Sequence, residues 1–199
     1  MKFIIMAGGQ GTKLWPYSTT NKPKQFQKII GNDSLFTNTV NLLLKRYPPE
    51  DIFVSTKKKY VGLAINQAPT IPLKNYIVEP NTANGRGPGE GFVFLHMYLN
   101  FPNDPFMLIQ PDNYREPEDK FLDMIQEQEN LVIKEKKLIT GGVKALYPML
   151  GIDYIRLGDK LDQYKNLDIY SAKEFVERSD DYYKTKDLIE YFHIVTHSN

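Results

Sequence analysis

The stretch that most constrains the fold is the first turn of the chain. Lys2-Phe3-Ile4-Ile5-Met6 is a short apolar run that opens directly into Ala7-Gly8-Gly9-Gln10-Gly11-Thr12-Lys13, with Lys22-Pro23-Lys24-Gln25-Phe26 close behind. An apolar run of this length ending in glycines reads as a buried first strand. The glycines remove side chains where backbone N–H groups can turn inward, and such a nest attracts anionic oxygens through fixed partial positive charge without bulk. Lys13, Lys22 and Lys24 add mobile cations, so the stretch reads as a phosphate site on physical grounds alone. Spacing excludes two other glycine loops. A Walker loop requires Gly, four residues, then Gly-Lys-Ser/Thr, and a dinucleotide fingerprint requires a glycine where this chain has Leu14.

The pattern beyond the loop sets the fold class. Ser34 before Leu35-Phe36 and the apolar Val40, Leu42, Leu43 and Leu44 predict an N-capped helix ending at Tyr47-Pro48-Pro49. Strands are predicted at Ile52–Ser55, Tyr76–Val78, Phe106–Ile109 and Gly141–Val143. Helices are predicted around Tyr60–Ile65, from Glu90 to Leu99, and after Pro117 with Phe121, Leu122, Ile125, Leu131 and Val132 as its buried stripe. This alternation argues for parallel βαβ units, hence an α/β three-layer sheet with helices on both faces. Ligands of such sheets sit at the carboxyl ends of strands, and the glycine loop, Glu79-Pro80 and Asp112 each follow a predicted strand. From Tyr154 onward, Ile155-Arg156-Leu157 and Lys173–Glu177 read as strands of a second, mixed part. Phe92, Phe94, Tyr98, Tyr182 and Tyr183 read as core or sheet packing. His193 and His197, four apart in a predicted last helix, have a spacing that can bind zinc, but no third ligand accompanies them and they read as terminal surface histidines.

The 199 residues balance 25 Lys and Arg against 24 Asp and Glu, for a net charge of +1. No global field steers the chain to nucleic acid or to an anionic membrane, so an anion site must be local. Cysteine is absent, which excludes disulfides and thiolate metal sites. No apolar stretch approaches the length of a signal peptide core or a membrane span. The expectation is a soluble cytoplasmic protein with neither nucleic acid nor membrane as partner.

Gly8-Gly9-Gln10-Gly11-Thr12-Lys13-Leu14-Trp15-Pro16, with Ser18 and Lys22-Pro23-Lys24-Gln25-Phe26, resembles the signature of the sugar nucleotidyltransferases. That signature is Gly-Gly-x-Gly-Thr-Arg-Leu-x-Pro with Lys-Pro-Lys downstream, and the variant here resembles the mannose-1-phosphate guanylyltransferase (GDP-mannose pyrophosphorylase) branch. The resemblance implies a Rossmann-like three-layer sandwich with a mostly parallel central sheet. It also implies a reaction of GTP with a hexose-1-phosphate, mannose-1-phosphate favoured, giving GDP-mannose and pyrophosphate with Mg²⁺. Both reactants are anions, so catalysis consists of holding them in line while cations absorb the charge. By resemblance, Ala7, Gly8, Gly9, Gly11 and Thr12 form the nucleotide cradle, and Lys13 and Lys24 are the catalytic cations. Lys13 replaces the family's arginine and keeps its charge without the bidentate fork. Asp112 resembles the strand-end aspartate that holds magnesium, for which one carboxylate with phosphates and waters suffices. Read alone, Asp112-Asn113 also suits a turn or a helix cap. Glu79-Pro80 resembles the base-recognition pair, its carboxylate accepting from guanine N1–H and the exocyclic amine. Read alone, Glu79 is also a strand-end glutamate in solvent.

The chain departs from the family after Pro80. Asn81-Thr82-Ala83-Asn84-Gly85-Arg86-Gly87-Pro88 keeps Asn-Thr-Ala but moves the arginine, and Arg86 is expected to reach a phosphate from a rebuilt loop. Gly151-Ile152-Asp153 stands where the family has Gly-Tyr-Gly, and Phe175-Val176-Glu177-Arg178-Ser179 resembles Phe-Val-Glu-Lys-Pro. Gly151, Glu177 and Arg178 are therefore the expected sugar-phosphate ligands. Residues 1–145 read as the nucleotide-binding half of a single domain, and 146–199 as a partial sugar-binding half, short of the full family domain. Three alternatives stay open: a transferase for another hexose-1-phosphate, a non-catalytic paralogue that binds a sugar nucleotide, and a fragment of a longer enzyme. Oligomeric state, a homo-oligomer included, is not legible in the residues.

Overall fold

The computed structural model describes residues 1–10, 14–80 and 85–198, without the side chains of Tyr191, His197 and Ser198. It divides into two compact units, Met1–Leu122 and Asp123–Asn199.

The first unit alternates as the sequence predicts: β1 (Lys2–Met6), α1 (Leu35–Leu44), β2 (Ile52–Lys57), α2 (Val61–Gln67), β3 (Tyr76–Glu79), α3 (Arg86–Asn100) and β4 (Phe106–Ile109), with α4 (Glu118–Glu135) following. The four strands are parallel in the order β3-β2-β1-β4. Both faces of β1 are covered. Ile4 joins Phe53 and Ile77 of the neighbouring strands and Val93 and Met97 of α3. Phe3 points the other way, its ring 4.3 Å from that of Tyr47 just past α1. A strand covered on both faces has no polar positions to alternate with, which is why it reads as a continuous apolar run. The chain moves outward from β1 to β2 and β3, then returns to set β4 on the far side of β1. At such a reversal the loops after the two flanking strands part, leaving the crevice where α/β sheets bind ligands. Here the flanking loops are the glycine loop after β1 and the turn bearing Asp112 after β4.

Local signals explain most boundaries. The Ser34 hydroxyl accepts from the Thr37 N–H at 3.0 Å and so caps α1. Helix α3 begins at Arg86, earlier than expected, because Pro88 stands in its first turn, where a missing N–H costs no helical hydrogen bond. Val93 and Met97, one turn apart, take the core stripe of α3 and turn Phe94 and Tyr98 outward, 45% and 70% exposed. Tyr182 and Tyr183 are exposed as well, whereas Phe92 packs against the core and the Phe94 ring lies 5.5 Å from that of Phe106 on β4.

The second unit holds β5 (Gly141–Lys144), β6 (Tyr154–Tyr164), β7 (Leu167–Val176), α5 (Tyr182–Tyr191) and β8 (Ile194–Ser198), an antiparallel sheet in the order β5-β8-β6-β7. The β6–β7 hairpin closes through Lys165, at φ 51°, and Asn166. Tyr154 is buried with Ala145 and Ile194, and its hydroxyl donates to Met149 O at 2.8 Å. Two expectations change here. Strand β5 does not continue the parallel sheet: it pairs with β8, Val143 opposite Thr196, a partner too distant in sequence for local pattern to reveal. The segment holding His193 and His197 is β8 with its approach, not a helix.

Candidate functional site

The glycine loop is held from behind by one side chain. Ala7 N–H still follows the sheet, donating to Ser55 O at 2.7 Å. Ala7 O then accepts from Gln25 Nε2 at 3.0 Å and Thr56 Oγ1 at 3.1 Å, and Gly9 O accepts from the same Gln25 amide at 2.8 Å. In a trans peptide the carbonyl and the following N–H point opposite ways. With both carbonyls turned toward Gln25, the N–H groups of Gly8 and Gln10 point away from it. Gln25 is 5% exposed, and a buried amide with two donors needs acceptors within reach. Its residue type inside Lys-Pro-Lys-Gln-Phe was the signal available in the sequence. Gly11, Thr12 and Lys13 lie outside the described residues.

Glu79 ends β3 and is 6% exposed, so it is not a glutamate in solvent. Ser55 Oγ donates to its Oε1 at 3.0 Å. The carboxylate lies against Gly8: a Cβ at that position would meet Oε1 at 2.2 Å. Glycine is required there by close approach and not by a backbone angle. Gly89, in the first turn of α3, lies near the other oxygen, with an added Cβ 3.5 Å from Oε2. Gly8→Ala is therefore expected to cost about 1–3 kcal/mol through overpacking, and a Gly8→Ala/Glu79→Ala double variant to regain most of it, both read from thermal unfolding. Pro80 follows, exposed. Arg86 opens α3, and its Nε pairs with Glu90 Oε1 one turn on at 2.5 Å, which commits its charge to the helix surface.

Lys24 and Asp112, 88 positions apart, meet on the β4 side of the loop, with Nζ 3.2 Å from Oδ2. Asp112 stands in the turn after β4 and caps no helix, since α4 begins at Glu118. Its side chain is 41% exposed. Behind it, Arg115 donates from Nη2 to Gln110 O at 2.8 Å and from Nη1 to Asn113 O at 3.1 Å, and stacks over Phe121 with 4.5 Å to the ring centroid. Burial pulls the Arg115 pKa down to about 10, opposed by the charge of Asp112, so the guanidinium stays protonated at neutral pH. Arg115 was not among the expected site residues. Its only signal was a cation three positions after a strand-end aspartate. Among the described residues no cluster of three or more His, Asp or Glu could hold a metal by itself. A single accessible carboxylate does fit magnesium, which completes its shell with phosphate oxygens and water.

In the second unit Gly151 adopts φ 72°, and its N–H donates to Ser179 O at 3.3 Å. Arg178 is forked onto Asp153: its Nε and Nη2 donate to Oδ1 and Oδ2 at 3.1 and 2.7 Å, and its backbone N–H to Oδ1 at 3.1 Å. That pairing raises the Arg178 pKa, the hydrogen bond to Asp153 contributing most. Glu177 is exposed beside it. Asp153, read from the sequence as a departure, is thus the partner of an expected ligand.

A parallel sheet whose strand order reverses beside a glycine loop defines a Rossmann-like nucleotide-binding domain. Within that class, residues 2–145 match the family model described as nucleotidyl transferase, and the chain belongs to that family. It is 30% identical over 183 residues to a mannose-1-phosphate guanylyltransferase of Sinorhizobium fredii, covering 87% of this chain and 33% of that protein. It is 28% identical to the mannose-1-phosphate guanylyltransferase RfbM of Salmonella typhimurium, covering 92% and 38%. The chain thus spans about a third of the length of these relatives. Among solved structures it resembles a mannose-1-phosphate geranyltransferase from Thermus thermophilus, with a TM-score of 0.84 at 22% identity over 98% of this chain and 55% of that one. That likeness carries the fold. Among the described residues no helix is long and apolar enough to cross a membrane.

Proposed function

We propose that this chain is a nucleotidyltransferase domain that joins GTP and mannose-1-phosphate into GDP-mannose with release of pyrophosphate. The observation that carries the guanine preference is the buried Glu79 carboxylate beneath Gly8, aligned by Ser55. An ionised carboxylate has about four acceptor sites, and one hydroxyl donor leaves capacity for the N1–H and amine of guanine. Adenine and uracil do not offer that pair of donors.

In this reading the N–H groups of Gly8 and Gln10 receive phosphate oxygens, and Gln25 keeps them aimed by holding the intervening carbonyls. Lys24 supplies the mobile cation that draws the phosphates of the two substrates together, which shortens the approach and offsets their repulsion. Asp112 would hold Mg²⁺, whose contribution when bound is to neutralise triphosphate charge. Gly11, Thr12 and Lys13 extend the cradle by resemblance. The test is pyrophosphate release by the purified chain with Mg²⁺, mannose-1-phosphate and each nucleoside triphosphate in turn. Release confined to GTP and dependent on both substrates is the expected result. A folded chain that releases none, with any triphosphate or sugar phosphate, overturns it.

The Arg178–Asp153 fork favours a second reading, in which the domain takes another hexose-1-phosphate or binds a sugar nucleotide without turnover. A guanidinium already engaged by a carboxylate is a weaker phosphate ligand than a free one. Asp153→Gly is expected to tighten mannose-1-phosphate binding about tenfold by calorimetry. Because the pair is exposed, stability is expected to change by less than about 1 kcal/mol.

A further inference from the structure

We infer that Arg115 is a positioning residue, whose fork fixes the turn that presents Asp112 to the metal and to Lys24. The inference rests on the proposed role of Asp112. Among the described residues strand β4 closes one edge of the sheet, so the turn after it has a sheet neighbour on the β1 side. The two carbonyls that Arg115 engages, Gln110 O and Asn113 O, flank Pro111-Asp112, so one planar guanidinium ties both ends of that span. From α1, Thr39 Oγ1 lies 3.4 Å from Pro111 O. The guanidinium also lies over the Phe121 ring, which restricts its movement. A lysine offers a single point of charge and cannot reproduce two divergent bonds in a fixed plane. Burial acts against the charge of Arg115, and the opposite charge of Asp112 opposes that effect. Removing a residue that orients a metal ligand from outside the coordination shell typically costs about 10–100-fold in metal affinity.

The test compares the full chain with its Arg115→Met and Arg115→Lys variants. A fluorescent GTP analogue is bound first in chelator and then along a Mg²⁺ titration, so the metal midpoint is read without turnover. Both variants are expected to raise that midpoint about tenfold or more, with nucleotide affinity in chelator unchanged. A parallel loss in chelator makes Arg115 a phosphate ligand and overturns the positioning role, as does an unchanged midpoint. Hydrogen exchange without nucleotide supplies an independent arm: faster exchange at Asp112 and Asn113 is expected in Arg115→Met at an unchanged melting temperature. Unchanged exchange there overturns the strap itself. Failure of the wild-type chain to bind any nucleotide overturns the proposed function instead, and the exchange arm still decides the strap.

Discussion

Lys24→Ala is expected to lower pyrophosphate release in the proposed reaction by about 10²–10³-fold and to leave the fold in place. The magnitude follows from the kind of interaction removed. A cation aimed at charge that must be brought together in the transition state acts where a mobile water or buffer ion cannot substitute for it, and deleting one such group typically costs about 3–4 kcal/mol of barrier. Its contribution to stability is small, because the pair with Asp112 is open to solvent, 28% and 41% exposed. Exposed pairs contribute about 0–1 kcal/mol. The two readouts therefore separate: a coupled pyrophosphate assay falls steeply while thermal unfolding hardly moves. Equal loss in both would mean that Lys24 is a structural residue of its loop, and the proposed chemistry would have to be carried elsewhere.

Glu79→Gln is the second large effect, and it changes selectivity more than rate. Glutamine keeps the volume beneath Gly8, and its carbonyl can still accept from Ser55. What changes is the other atom, from an acceptor to an NH₂ donor that meets the donors of guanine head-on. GTP affinity is expected to fall about 10²-fold. ATP binding should gain, because a primary amide can exchange two hydrogen bonds with adenine where a carboxylate cannot. Competition of the four triphosphates for a fluorescent analogue measures the ratio directly. An unchanged GTP to ATP ratio would remove Glu79 from base recognition and with it the argument for guanine.

The limits of the sequence are visible in particular residues. The first sheet was legible because each element announces itself locally: apolar runs for strands covered on both faces, Ser34 before an amphipathic stretch, glycines after β1. Arg86 and Pro88 misled at α3, since glycine and proline are loop signals anywhere except the first helical turn. Tyr98 misled because hydrophobicity alone does not choose which stripe of a helix is buried. Val93 and Met97 win that place and Tyr98 does not.

The candidate site divides along the same line. Residue type and spacing are what support the proposal of an anion site at the loop after β1, because glycines and lysines in that order combine backbone donors with mobile charge. They also marked Glu79 and Asp112 as strand-end carboxylates. Only the tertiary structure decided what those residues do to one another. Strand order brings Lys24 to Asp112 across 88 positions, packing buries Glu79 against Gly8, and Gln25 reaches back to turn the loop's carbonyls. It likewise binds Arg178 to Asp153 and Arg115 to the turn it straps. The physical reason is range. Propensity and capping act over a few residues and are written in the local order of side chains, whereas hydrogen bonds and ion pairs act over a few ångströms, between groups that only the folded chain makes neighbours.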